Sequence, residues 1–85
     1  MSSTNRIRVL FFATLRDRAG ARSTDLDIPP GVDVGGLKSL LGATYPDLLP
    51  SLPTALVSIN REYAFDDAPI PENAEVALFP PVSGG

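Results

Sequence analysis

Only one stretch of this chain has the periodicity of a long helix. Val34, Leu37, Leu40 and Leu41 recur at helical spacing, with Lys38 and Ser39 off that stripe. Asp33 stands before them as a candidate N-cap, Gly42 as a candidate stop, and Pro46 ends the segment at the latest. Gly35 and Gly36 weaken the first turn by roughly 1 kcal/mol each relative to alanine, so either they permit close packing on a sheet or the helix begins late. Nearly every other apolar stretch reads as a strand. A lone helix must bury its stripe against something else, so the expected fold is a sheet with this helix on one face.

Arg6 to Ala13 is the first strand by its β-branched and aromatic content. Ile7, Val9 and Phe11 point one way; Arg6, Arg8, Leu10 and Phe12 point the other. That second face begins charged and ends apolar. Thr14 to Gly20 is one helical turn or a loop. Arg22 to Ile28 alternates again, Leu26 and Ile28 inward and Asp25 and Asp27 outward, and pairs with the first strand as a hairpin. Asp47 to Thr54, with Pro50 and Pro53, is a loop. Ala55 to Asn60 is the third strand, Asn60-Arg61-Glu62 a turn, and Tyr63-Ala64-Phe65 a short strand. Asp66 to Ala74 is turn-rich, with Ile70 plugging the core, and Glu75 to Phe79 is the last strand.

This order predicts an α+β domain over residues 1–79: a mixed sheet in the β-grasp, ubiquitin-like arrangement. In it the first and last strands lie side by side in the middle. The uncovered face then carries Leu10, Phe12, Ala77 and Phe79, with Tyr63 at its edge. A contiguous exposed apolar patch on a small protein marks an interaction site.

Residues 80–85, Pro80-Pro81-Val82-Ser83-Gly84-Gly85, read as an extended tail. The prolines have no N–H for a ladder and favour a stiff, extended chain. From Pro81 onward the tail reaches at most about 17 Å. It narrows to two residues without side chains and is expected to end in a carboxylate, an anion at neutral pH.

The residue inventory excludes much. There are no cysteines and no histidines. That removes disulfides, thiol nucleophiles, the commonest general base and the commonest metal ligand, and no metal site is expected. The net charge of −3 argues against nucleic acid. No apolar run approaches the ~20 residues of a membrane helix, and Val9 to Ala13 is too short for the core of a signal peptide, so no membrane association and a cytoplasmic location are expected. Arg16, Arg18 and Arg22 read as solvated surface groups. Asp66-Asp67 lacks calcium-loop spacing and reads as a turn. Ser83 has no base beside it to make it a nucleophile.

Val9-Leu10-Phe11-Phe12-Ala13 with Leu15-Arg16, Val57-Ser58-Ile59-Asn60, and above all Glu75 to Gly85 resemble the molybdopterin synthase small subunit family. The resemblance covers essentially the whole chain. It implies a sulfur carrier, a subunit without catalytic side chains of its own and with no stably bound cofactor. An activating enzyme would use ATP to adenylate Gly85, and a sulfurtransferase would supply the sulfur that makes it a thiocarboxylate. The tail would enter the large synthase subunit and give its sulfur to precursor Z (cyclic pyranopterin monophosphate). Phe12, Tyr63 and Phe79 would fall on the family's contact surface. The family often has a Gly-Asp turn where this chain has Asn73-Ala74, and a threonine or valine where it has Asp33-Val34. Alternatives of the same architecture are carriers for thiazole formation or tRNA thiolation, and ubiquitin-like protein modifiers. An interaction module with an inert end is the alternative from another class.

Overall fold

The computed structural model describes residues 4–81. The five strands are β1 (Asn5–Phe11), β2 (Ser23–Ile28), β3 (Leu56–Ile59), β4 (Glu62–Ala64) and β5 (Glu75–Phe79). They form one sheet in the order β2-β1-β5-β3-β4. β1 and β5 pair in parallel, and the other pairings are antiparallel. The expected mixed sheet with its first and last strands adjacent is therefore present, and β5 occupies the centre.

Helix α2 (Val34–Thr44) covers one face. Asp33 caps it: its Oδ1 accepts the Gly36 N–H at 2.8 Å, satisfying one of the first-turn donors. The Val34 and Gly35 N–H groups donate to the carbonyls of Ala68 and Asp66. The glycine pair therefore neither delays the helix nor meets the sheet; Gly35 backs onto the Asp66 carbonyl. Val34, Leu37 and Leu41 join a core with Ile7, Val9, Phe11, Val57, Ile59, Val76 and Leu78.

Several expectations need correction. Leu40 is exposed. Successive helical residues are about 100° apart, so with Leu41 on the core its neighbour turns away. Gly42 does not stop the helix, which continues to Thr44; it is buried, and the side-chain end of Leu49 lies where a Cβ would sit. Thr14–Ala19 is a six-residue helix, α1, that buries Leu15 and ends at Gly20 in the left-handed region. The 47–54 stretch is not a plain loop: a 3₁₀ turn, Pro46–Leu48, opens it, and Leu48 and Leu52 are in the core. β4 starts one residue earlier than expected and excludes Phe65.

Two asparagines tie the loops to the sheet. Asn5, at the start of β1, is buried; its Nδ2 donates to the Pro71 carbonyl at 3.0 Å and its Oδ1 accepts the Asn73 N–H at 2.9 Å. Asn60 Oδ1 accepts the Glu75 N–H at 3.0 Å. Asn73 has φ 58°, a backbone state that asparagine tolerates better than most residues, so the Asn73-Ala74 departure is a working turn.

Candidate functional site

The face of the sheet away from α2 is built by the two-residue period acting on four strands. Leu10 pairs with Ala77, Ala77 with Ser58, and Ser58 with Tyr63, so these four form one row across β1, β5, β3 and β4. One step along, Phe79 pairs with Leu56, and Phe12 lies just beyond the end of β1.

The face changes character along the strands. Near the start of β1 it is charged, with Arg6–Asp27 at 3.5 Å and Arg8–Asp25 at 3.4 Å across to β2. Both pairs are exposed and contribute at most modestly to stability. Near the end of β5 it is apolar. The Phe12 and Phe79 rings stack with centroids 4.8 Å apart, and Tyr63 tilts against Phe79 at 6.5 Å. Phe12 is 41% exposed and Tyr63 79% exposed, while Ala77 is 7% exposed and forms a floor with Ser58. Aromatic walls, a small-residue floor and a rim of Arg61 and Glu75 enclose a depression of about 330 Å³.

All five expected patch residues, Leu10, Phe12, Tyr63, Ala77 and Phe79, thus line one depression. Two further exposed apolar residues were not foreseen: Leu56 on β3 and Phe65, 86% exposed, just past β4. With Tyr63 they line a second, adjoining groove beside Lys38. The same alternation, applied to β3, identifies Leu56, because Val57 and Ile59 take the core side.

The chain leaves the sheet beside the stacked rings. Phe12 N–H donates to the Leu78 carbonyl and Phe79 still pairs with Leu56, after which the prolines end the ladder. Pro80 is half-buried and Pro81 exposed. Val82, Ser83, Gly84 and Gly85 lie outside the described residues. Among the described residues, no group of acidic, histidine or cysteine side chains is arranged to hold a metal ion, and no helix is long and apolar enough to cross a membrane.

Comparison with known proteins gives the same direction throughout. The ThiS family matches residues 9–85. The molybdopterin synthase sulfur carrier subunit of Dictyostelium discoideum is 33% identical, with 96% of this chain and 99% of that one aligned. The protein of the same name from Escherichia coli is 34% identical, over 93% of this chain and 99% of that one. Among solved structures, the small archaeal modifier protein 1 of Haloferax volcanii superposes with a TM-score of 0.80 at 26% identity, covering 92% of this chain and 99% of that one. This chain belongs to the ThiS family.

Proposed function

We infer that this protein is the sulfur carrier subunit of a molybdopterin synthase. The observation that carries the reading is positional: the Phe12–Phe79–Tyr63 patch lies at the root of the Pro80-Pro81 tail that leads to Gly84-Gly85. A partner seated on the patch is placed to receive the tail. The full-length relatives, named as sulfur carrier subunits, support the same assignment.

The chemistry follows from what the chain lacks. A carboxylate is a poor electrophile, and the sequence offers neither a histidine nor a cysteine to assist its activation. An adenylating enzyme with ATP converts the Gly85 carboxylate to an acyl-adenylate and releases pyrophosphate; the terminal sulfur of a sulfurtransferase persulfide attacks the acyl carbon, AMP leaves, and a thiol reductant cleaves the S–S bond to free the thiocarboxylate. Gly85 offers no side chain to obstruct that attack. With no cysteine in the sequence, the thiocarboxylate is the evident place for transferable sulfur. The large subunit then binds the patch, admits the tail and directs the sulfur to precursor Z. In this scheme the small protein is a loaded substrate and a subunit, and the catalytic groups belong to its partners.

Intact mass after incubation with an adenylating enzyme, ATP and a sulfur donor tests the first half: oxygen replaced by sulfur at Gly85 is expected. Conversion of precursor Z by the loaded protein with a large subunit tests the second. A terminus that stays unmodified while a known carrier is loaded would reject the reading. The likeness to a small archaeal modifier protein favours protein conjugation as the second reading, and covalent adducts in place of sulfur transfer would select it.

A further inference from the structure

The 85 residues contain a single lysine, Lys38. It lies on α2, yet its side chain is only 11% exposed. Its Nζ donates to the Ala55 carbonyl at 3.1 Å and pairs with Asp66 Oδ1 at 3.0 Å. Asp66 is itself held, because its carbonyl accepts the Gly35 N–H at the start of the same helix at 2.8 Å. The amine therefore sits between a strand-entry carbonyl and a carboxylate anchored to its own helix. The Asp66 carboxylate is largely exposed, so the ion pair alone is weak; the buried stem and the Ala55 bond supply the rest of the restraint.

We propose that Lys38 is a masked acceptor, held closed so that the activated carrier does not acylate other copies of itself. This rests on the carrier reading above. An acyl-adenylate at Gly85 is open to any free amine. The lone pair of a lysine Nζ attacks the acyl carbon, a C–N bond forms, the C–O bond to phosphate breaks, AMP leaves with the electron pair, and the amine proton passes to solvent. The product is an isopeptide-linked pair of chains that has lost its transferable acyl end. Attack needs the Nζ lone pair directed at an incoming carbonyl, and with the side chain only 11% exposed such an approach requires it to swing away from Ala55 and Asp66. Six of the seven basic residues are arginines, which keep the surface charge without adding an amine nucleophile.

The test uses the full chain prepared with a thioester at Gly85, so that the acyl group is active without any enzyme. Sulfur loading of the wild type by an adenylating enzyme, measured separately, reports on the carrier reading alone. Arg18→Lys places one exposed lysine on α1 and serves as the internal reference. Linkage to position 18 in that variant is expected to exceed linkage to Lys38 at least tenfold, measured by peptide mapping of the dimer. Asp66→Ala in the wild-type background is expected to raise Lys38 linkage at least threefold. Equal linkage at positions 18 and 38, or no rise in Asp66→Ala, would overturn the masking proposal.

Discussion

Phe12 and Phe79 stack with their ring planes only 9° apart, although one lies just past the first strand and the other ends the last. The parallel pairing of β1 with β5 makes this contact, since Phe11 lies opposite Leu78 and leaves Phe12 and Phe79 to emerge together on the uncovered face. The next residue is Pro80. Fold topology, apolar patch and tail root therefore meet at one point, and a partner that reads the rings also finds the tail.

Phe12 is the better of the two rings to remove, because it is partly exposed and outside the core. Phe12→Ala is expected to weaken binding to the large subunit by about 1–3 kcal/mol, the range of an aromatic anchor at an interface. The melting temperature should move little. Calorimetric titration with the large subunit checks the first part and a thermal melt the second; unchanged affinity in a folded variant would remove the patch from the binding surface.

Deleting Gly85 is expected to abolish sulfur transfer without altering stability, because among the described residues the last strand ends at Phe79 and the core draws none beyond Leu78. Precursor Z conversion and a denaturant titration on the same preparation separate the two effects. Retained transfer by the truncated chain would show that the final glycine is not the acyl carrier.

The faces of the long strands were legible because the period of a strand is two and admits no drift: once Ile7, Val9 and Phe11 take the core, Leu10 and Phe12 are on the other side. The helix was less forgiving. Leu40 and Leu41 both fit a broad apolar stripe, and only the packing chose between them. Leu48 and Leu52 were hidden because Pro46, Pro50 and Pro53 interrupt every period, so burial there arises from a 3₁₀ turn and successive turns without a repeat to reveal it. Tyr63 lies on β4, whereas Phe65, β-prone by type, only follows that strand. The Lys38–Asp66 pair joins a helix to a distant turn and has no local signature at all.

Asn5 is expected to matter more than its position near the end of the chain implies. Asn5→Leu leaves the Asn73 N–H and the Pro71 carbonyl without their side-chain partner. Both bonds are part-buried, so the expected cost is about 0.5–1.5 kcal/mol, that of ordinary hydrogen bonds lost. For a domain of this size each 1 kcal/mol lowers the melting temperature by roughly 4–8 °C. A melt indistinguishable from wild type would mean that water replaces the asparagine.

The β3–β4 hairpin turns through Asn60 and Arg61, both at positive φ, 50° and 72°, between the paired residues Ile59 and Glu62. A two-residue loop of this kind is a type I′ turn, whose preferred pair is asparagine followed by glycine. Arginine at the second position is strained by its Cβ, and it stands on the rim of the aromatic depression. Strain kept beside a working surface is a recurrent pattern. Arg61→Gly is therefore expected to stabilise the protein by about 0.5–1 kcal/mol, whereas Arg61→Ala, which removes the charge and keeps the Cβ, is not. Denaturant midpoints of the two variants decide it. Equal midpoints would mean that relief of strain at position 61 does not exceed the cost of glycine's freedom in the unfolded chain, and would overturn the prediction.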